Sequence, residues 1–278
     1  MAMRTVSLPD GEAISVLGLG TWRMGEDGSR FGDEVAAVRH AYDRGIRLFD
    51  TAEMYGEGGA EEALGEGLKG CRDDCFIVSK VYPHNAGRHE AVRACERSLG
   101  RLGTDRLDLY LLHWQGNATY EETIAAFEAL QQDGKIRHYG VSNLDAPDMD
   151  DWFAAGGDAC ATDQVIYNAT RRGIEYDLIP WCRAQRMPVM AYSPLEQGRM
   201  LDDRTLGNIA AKHNATPLQI ALAWVLRDPL IVAIPKSVRP GHIDQNIAAL
   251  DIALDEEDIA AIDAAYPPPT SKRPLEML

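Results

Sequence analysis

The sequence predicts an α/β fold, a (β/α)₈ barrel (TIM barrel) with a short N-terminal β-hairpin and an extra C-terminal helix. Short runs rich in valine, isoleucine and leucine alternate with helical stretches, and eight such strand–helix units can be counted. The runs are continuously apolar, as expected of parallel strands that are buried on both faces. Each run is also followed by a polar group, and eight units favour a closed barrel over an open sheet.

The predicted elements begin with a hairpin over residues 3–15, which turns at a Pro-Asp-Gly sequence. The strand and the following helix of each unit are predicted at 16–19 and 33–44, 46–49 and 60–68, 76–78 and 89–100, 107–112 and 120–133, 136–141 and 147–154, 161–165 and 176–185, 189–192 and one or two helices within 203–227, and 231–234 and 242–250. The sequence Thr216-Pro217-Leu218-Gln219 is typical of a helix start with a capping box. The extra helix is predicted at 255–265, and the chain after Pro269 is expected to be extended.

Composition limits the classes of partner and the compartment. The net charge of −15 creates an acidic field that repels nucleic acid and anionic membranes, so neither is an expected partner. No run of eighteen apolar residues indicates a membrane span, and no apolar N-terminal segment indicates a signal peptide. We expect residues 1–278 to form a single barrel domain in the cytoplasm, as a monomer or weak homo-oligomer, because no linker or shift in composition divides the chain.

The five cysteines are odd in number and scattered, and no Cys-x-x-Cys pair occurs among them. Zinc sites and disulfide frameworks need regular cysteine spacings. We therefore expect free thiols in a reducing compartment and no metal site.

Four residues suited to proton transfer follow three neighbouring predicted strands. Asp50 ends one strand, and Tyr55 comes after it in a turn-prone loop. Lys80 and His113 end the next two strands. In a (β/α)₈ barrel the C-terminal ends of all strands open on one face, where active sites lie. The four side chains therefore predict a proton-transfer site at that face.

A phosphate site is predicted where the last strand ends, in the sequence Ile234-Pro235-Lys236-Ser237-Val238-Arg239. Many barrels bind phosphate at the loops after the seventh and eighth strands. Here Lys236 and Arg239 supply cations, and Ser237 supplies a hydroxyl and a backbone donor. A Rossmann fingerprint is not indicated, because the G-x-G-x-x-G match at 65–70 closes a helix instead of joining a strand to one.

Together these motifs resemble the aldo-keto reductases, in particular bacterial NADPH-dependent members, over nearly the whole chain. The segments that carry the resemblance are Gly18-Leu19-Gly20-Thr21-Trp22, Asp50-Thr51-Ala52 with Tyr55-Gly56, Ser79-Lys80, Leu111-Leu112-His113-Trp114, Gly140-Val141-Ser142-Asn143, Gln164, Tyr192-Ser193-Pro194-Leu195 and Ile234-Pro235-Lys236-Ser237.

The resemblance implies an oxidoreductase that reduces aldehydes or ketones to alcohols by hydride transfer from NADPH. It implies a catalytic tetrad of Asp50, Tyr55, Lys80 and His113. The implied cofactor-binding residues are Gly20, Thr21, Ser142, Asn143, Gln164, Tyr192, Ser193, Leu195, Lys236, Ser237, Arg239, His242, Gln245 and Asn246. Trp22 and Trp114 are expected to wall the pocket of the small-molecule carbonyl substrate, or else to pack in the core.

One of these positions departs from the family pattern. His242 stands where the family has an arginine that helps to hold the 2′-phosphate of NADP. Arg239 is the expected substitute, and NADH is a possible weaker cofactor.

The expected chemistry assigns one role to each member of the tetrad. Tyr55 is the proton donor, and Lys80 is expected to lower the phenol pKa from its ordinary value of about 10. Asp50 is expected to pair with Lys80, and His113 to donate a hydrogen bond to the substrate carbonyl oxygen.

Two other functions fit parts of the sequence. An NADP(H)-binding regulatory or redox-sensing barrel with little turnover would share the cofactor residues, but it would need no proton donor. A barrel lyase that uses Lys80 as a Schiff base would not explain Tyr192 or the Lys236 loop. The substrate is not identified by the sequence. Short loops and a tail of nine residues after Pro269 predict that little covers the pocket and that many carbonyl compounds are accepted.

Overall fold

The computed structural model describes residues 3–278 and shows eight parallel strands that neighbour one another in chain order. The strands are β3 (Gly18–Gly20), β4 (Leu48–Asp50), β5 (Phe76–Val81), β6 (Leu107–Leu112), β7 (Ile136–Ser142), β8 (Asp163–Ile166), β9 (Val189–Tyr192) and β10 (Ile231–Ala233). Parallel bridges from Leu17 to Ala233 and from Gly20 to Lys236 join the first strand to the last. The predicted (β/α)₈ barrel is therefore confirmed.

The predicted N-terminal hairpin is also present and closes the bottom of the barrel. It pairs β1 (Thr5–Ser7) with β2 (Ala13–Ser15) in antiparallel register. Leu8 and Ile14 are buried among the apolar side chains inside the barrel. An ion pair holds the hairpin against β7, because Arg137 Nη2 lies 2.6 Å from a carboxylate oxygen of Glu12.

Ten α-helices accompany the strands in the described part of the chain. They are α1 (Phe31–Asp43), α2 (Gly59–Gly67), α3 (Glu90–Leu102), α4 (Tyr120–Gln132), α5 (Ala146–Ala154), α6 (Leu178–Ala184), α7 (Arg204–His213), α8 (Pro217–Val225), α9 (Pro240–Ala248) and α10 (Glu256–Ala265). The region 203–227 thus folds as two helices. The capping box between Thr216 and Gln219 is present at the start of α8, as predicted. None of the described helices is both long and apolar enough to cross a membrane.

Only β6 and β9 have the predicted boundaries, and three of the differences in the other strands concern predicted site residues. β5 continues to Val81, because its backbone pairs with β6 beyond the apolar run. β8 begins at Asp163, so Gln164 is its second residue and not its end. β10 ends at Ala233, ahead of Lys236, and Pro235 has no N–H with which to extend the ladder.

Apolar side chains pack in two layers, one inside the barrel and a larger one between the strands and the helices. Trp152, Trp224, Tyr110 and Tyr139 are among the largest fully buried side chains. All five cysteines are buried free thiols.

The tail after α10 lacks regular secondary structure, yet it lies against the barrel. Lys272 Nζ is 3.1 Å from a carboxylate oxygen of Asp145, and Glu276 pairs with Arg171 at 2.7 Å. The backbone N–H of Leu278 faces the Tyr192 hydroxyl. These ion pairs hold the tail over the loops that follow β7 and β8.

Candidate active site

The barrel register brings Asp50 and Lys80 into direct contact at the C-terminal mouth. Asp50 ends β4, and Lys80 lies near the end of the adjacent β5. Lys80 Nζ donates hydrogen bonds to Asp50 Oδ1 at 2.8 Å and Oδ2 at 2.9 Å. A third goes to the backbone carbonyl of Thr51 at 2.8 Å. All three ammonium protons therefore have an acceptor, which a buried lysine requires.

A tight turn returns the Tyr55 ring to this mouth. The turn contains Gly56, whose φ of 57° lies in the left-handed region. A Cβ on Gly56 would lie 2.7 Å from backbone atoms of the loop after β3, so the close approach of the two loops requires glycine. The Tyr55 ring centroid is 4.9 Å from Lys80 Nζ and 5.8 Å from the His113 ring centroid. The four predicted tetrad residues thus lie together at one mouth.

The electrostatics of Tyr55 differ from the prediction. Burial, together with the negative charge of Asp50, raises the pKa of Tyr55 well above its ordinary value. The net direction is therefore opposite to the predicted one, because burial and the charge of Asp50 outweigh the effect of Lys80, whose ammonium protons point to Asp50 and Thr51. Tyr55 therefore keeps its proton throughout the neutral pH range.

His113 is a neutral imidazole in this site. Burial, and then the positive charge of Lys80, lowers the pKa of His113 well below its ordinary value. Its Nδ1 is buried and has no hydrogen-bond partner within residues 3–278. A neutral imidazole carries one N–H, so it can donate one hydrogen bond to a carbonyl oxygen at the mouth.

The residues predicted to contact the nicotinamide form one hydrogen-bonded network. Asn143 donates to the backbone carbonyl of His113 at 3.1 Å and accepts from the Tyr192 hydroxyl at 2.9 Å. Ser142 donates to the backbone carbonyl of Gln164 at 2.7 Å. The side chain of Gln164 has a further contact that the sequence did not predict, because its Nε2 donates to an Asp50 carboxylate oxygen at 2.7 Å.

The predicted phosphate residues lie where β3 meets β10. Gly20 N–H donates to the Pro235 carbonyl at 3.1 Å, and a Cβ on Gly20 would meet the Ile234 carbonyl oxygen at 2.7 Å. The hydroxyls of Thr21 and Ser193 are buried and lack hydrogen-bond partners in the described structure. These unsatisfied hydroxyls, together with the cation of Lys236, fit a ligand that carries phosphates.

The remaining predicted cofactor residues lie in the segments that follow β9 and β10. Ser237 is buried, and its hydroxyl accepts from the Arg239 N–H at 3.1 Å. Leu195 is partly buried after β9. Four more predicted cofactor residues lie on α9 or at its N-cap, and they are Arg239, His242, Gln245 and Asn246.

An aromatic wall borders the tetrad. Trp114 contacts the His113 ring with the centroids 4.7 Å apart, and Tyr82 meets Trp114 edge-on at 5.9 Å. The guanidinium carbon of Arg23 lies 4.5 Å from the centroid of the Trp22 ring. Trp22 and Trp114 are both only partly buried, so neither ring belongs to the buried core.

Sequence reasoning missed two residues that build this wall. Tyr82 follows Lys80 by two positions, and an aromatic residue so soon after a strand end was a usable signal. Glu53 holds the segment that carries Tyr82, because its carboxylate accepts from the Tyr82 N–H at 2.8 Å and from Asn85 at 3.0 Å. Glu53 lies inside the Asp50–Tyr55 motif, but nothing in its spacing shows which loop it contacts.

Comparisons with known proteins agree with this site. The model of the Aldo/keto reductase family matches residues 16–267. Methylglyoxal reductase YeaE of Escherichia coli (strain K12) is 50% identical, with 100% of both chains covered. The glyoxal reductase of Bacillus subtilis (strain 168) is 37% identical over 94% of this chain and 92% of its own. An aldo-keto reductase from Klebsiella pneumoniae, solved in complex with NADPH, superimposes with a TM-score of 0.97 at 49% identity, again with 100% of both chains covered. Because the matches run the length of the barrel and include the strand ends that form the site, this chain belongs to the aldo/keto reductase family.

Proposed function

We propose that the protein reduces aldehydes and ketones to alcohols with NADPH, and that Tyr55 is the proton donor. The observation that carries the proposal is the buried Lys80–Asp50 pair beside a protonated Tyr55 and a neutral His113. A proton donor and a hydrogen-bond donor to oxygen are what carbonyl reduction requires of the protein.

NADPH supplies the hydride when it is bound, and the protein holds and orients it. Ser142, Asn143, Gln164 and Tyr192 would hold the nicotinamide. Around the phosphates and adenine, the proposed contacts are Gly20, Thr21, Ser193, Leu195, Lys236, Ser237, Arg239, Gln245 and Asn246. The unsatisfied hydroxyls of Thr21 and Ser193 support this placement.

The proton moves from the Tyr55 hydroxyl to the carbonyl oxygen of the substrate as negative charge develops there. The N–H of His113 donates a hydrogen bond to the same oxygen and stabilises that charge. Lys80 Nζ, 4.9 Å from the Tyr55 ring centroid, then stabilises the phenolate that remains. Asp50 keeps Lys80 in place for this role. Because the pKa of Tyr55 is high, its hydroxyl is protonated at neutral pH and can donate.

For the substrate we propose small 2-oxoaldehydes such as methylglyoxal and glyoxal. Relatives at 50% and 37% identity are named methylglyoxal reductase and glyoxal reductase. The rings of Tyr82 and Trp114 beside His113 support a compact pocket, because large rings next to the tetrad leave room for short carbon chains.

A substrate panel tests both parts of the proposal. The rates of NADPH oxidation with methylglyoxal, glyoxal, benzaldehyde and acetone are compared for the wild type and Tyr55→Phe. We expect the highest kcat/KM with the 2-oxoaldehydes and almost no turnover by the variant. A wild type that binds NADPH but reduces none of these compounds would instead favour the regulatory barrel.

A further inference from the structure

Glu53 joins the loop that carries Tyr55 to the far end of the aromatic wall. The Glu53 carboxylate accepts a hydrogen bond from the Tyr82 N–H at 2.8 Å, and Glu53 precedes Tyr55 by two positions in the same loop. The rings complete a closed chain of contacts, because Tyr82 meets Trp114 with the centroids 5.9 Å apart and Trp114 meets His113 at 4.7 Å. The His113 ring in turn lies 5.8 Å from the Tyr55 ring. The position of the wall relative to Tyr55 therefore depends on one carboxylate.

The wall segment (residues 82–86) has two further anchors, and both come from the part of the barrel that follows β6. A Cβ on Gly116 would lie 2.7 Å from a backbone atom of the segment, so the two backbones are in close contact. Thr123 of α4 donates to a backbone carbonyl of the segment at 2.8 Å. Between the wall segment and residues 50–57, by contrast, every hydrogen bond in the described structure ends on the Glu53 carboxylate. Loss of that carboxylate would free the segment from this loop and leave its other anchors in place.

The hydrogen bonds to the wall segment also account for a charge in a buried place. The Glu53 side chain is 7% exposed. Its cation is Arg97, which is half exposed and lies 3.4 Å away, and exposed pairs of this kind contribute little. A buried carboxylate costs free energy unless hydrogen bonds compensate for the lost water. Here one oxygen accepts from both the Tyr82 N–H and the Asn85 amide, so the link to the wall segment is what the carboxylate provides.

We propose that Glu53 is a positioning residue that limits the size of the substrate. It acts through Tyr82 and Trp114, whose rings it holds at a fixed distance from Tyr55. This inference rests on the proposed function, because it concerns the aldehydes that are reduced at this mouth. Without the carboxylate, the wall segment can move away from Tyr55, and the pocket widens on that side.

The test compares two substrates that share the reacting group and differ in size. Methylglyoxal and phenylglyoxal are both 2-oxoaldehydes, and one carries a methyl group where the other carries a phenyl ring. kcat and KM for both compounds, and the Kd for NADPH, are measured for the wild type and for variants of Glu53. Urea unfolding shows which variants are folded.

Three substitutions at Glu53 separate the hydrogen bonds from the charge and the volume. Glu53→Ala removes the acceptor, and Glu53→Leu removes it while filling the same space, so Glu53→Leu carries the test if the alanine variant is unfolded. Glu53→Gln loses the charge but keeps a side-chain oxygen that can accept from the Tyr82 N–H. Glu62→Ala is the matched control, because it removes the charge of an exposed glutamate on α2.

We expect Glu53→Ala and Glu53→Leu to raise the KM for methylglyoxal by about tenfold. The ratio of kcat/KM for methylglyoxal to that for phenylglyoxal should fall by about tenfold or more, which is the scale on which a pocket discriminates by size. The kcat for methylglyoxal and the Kd for NADPH should stay within about threefold, because no hydrogen bond within residues 3–278 joins Glu53 to a tetrad side chain. Glu53→Gln and Glu62→Ala should keep the ratio within about twofold of the wild type.

A double variant tests whether Glu53 acts through the ring of Tyr82. In a Tyr82→Ala background the ring is absent, so Glu53→Ala should change the substrate ratio no further. An equal loss of kcat for both substrates, with the ratio unchanged, would show that Glu53 acts on Tyr55 and not on the wall, and would overturn the inference. Unchanged kinetics in Glu53→Ala and Glu53→Leu would also overturn it. If the wild type reduced neither compound, the proposed function itself would fail.

Discussion

Lys80 donates hydrogen bonds to both carboxylate oxygens of Asp50, at 2.8 and 2.9 Å, in a site where both side chains are buried. Neither charge has access to bulk water, so each depends on the other for its stabilisation. Mutual dependence of this kind is measured by comparing single and double variants.

Removal of one partner should therefore cost more stability than removal of both. Lys80→Met or Asp50→Asn alone leaves one buried charge unpaired, which costs about 3–5 kcal/mol. The double variant leaves no charge, so its free energy of unfolding should exceed that of either single variant. Urea unfolding at pH 7 measures all four proteins. A double variant as unstable as the sum of the two singles would mean that the charges are not coupled.

Tyr55→Phe should abolish most turnover without affecting the cofactor. General acid catalysis contributes about 10²- to 10⁴-fold, and the Tyr55 ring lies between Lys80 and His113. We expect kcat for methylglyoxal to fall by that factor while the Kd for NADPH stays within about twofold. Tyr82→Phe is the control, because it removes a hydroxyl from the adjacent wall and keeps the ring. Retention of a tenth of the wild-type kcat would remove Tyr55 from the role of proton donor.

The pH dependence of activity should show no step near the ordinary histidine pKa of about 6.5. Burial and the charge of Lys80 hold the pKa of His113 well below that value, so the imidazole stays neutral between pH 6 and pH 8. Tyr55 also stays protonated in this range because burial raises its pKa. We expect kcat for reduction to be constant within about twofold from pH 6 to pH 8. A decline with a midpoint between pH 6 and pH 7 that disappears in His113→Gln would show that the histidine titrates there.

Asp163 should make the fold less stable as the pH rises. Its carboxyl group is fully buried, and neither oxygen has a hydrogen-bond partner in the described structure. Burial raises its pKa well above the ordinary value, and Asp148 and Asp145 add to the effect, whereas the backbone N–H of Leu144 opposes it. The unfolded chain releases this proton near pH 4, while the folded chain retains it. The contribution of Asp163 to stability is therefore greatest below about pH 4 and declines as the pH rises toward its folded pKa.

Asp163→Asn removes this dependence, because asparagine has nearly the same shape and no charge. Relative to the wild type, the variant should gain more stability at pH 8 than at pH 5 in urea unfolding. Asp151→Asn, an exposed position on α5, serves as the control and should show an equal and small effect at both values. A gain that does not change with pH would show that Asp163 is not the titrating group.

The barrel and the tetrad could be predicted from the sequence because both depend on local patterns. Apolar runs of strand length specify buried parallel strands, and a lysine or histidine directly after such a run, as at Lys80 and His113, is typical of a barrel active site. Thr216 and Gln219 likewise specify a helix start within four residues of chain.

Features that depend on contacts between distant segments could not be predicted in this way. The direction of the Tyr55 pKa depends on the burial of its ring and on the nearby charge of Asp50, and both follow from the packing of the Tyr55 loop against the barrel mouth. The bridge from Gly20 to Lys236 joins the first strand of the barrel to the segment after the last one, far apart in sequence. The tail position depends on ion pairs with Asp145 and Arg171, which no pattern near Lys272 reveals.

A cofactor bound at the junction of Gly20 and Lys236, as proposed above, would hold the first and last strands of the barrel together. β3 and β10 meet through single bridges instead of the ladder that joins the other neighbouring strands. A ligand that contacts both β3 and β10 can bind only while these two strands remain paired. At a free ligand concentration of 100 times the Kd, a protein gains about 2.7 kcal/mol of stability from its ligand. Chains loaded with NADPH should therefore resist proteases that cut transiently opened barrels, and depletion of the cofactor would shorten the lifetime of the enzyme along with its activity.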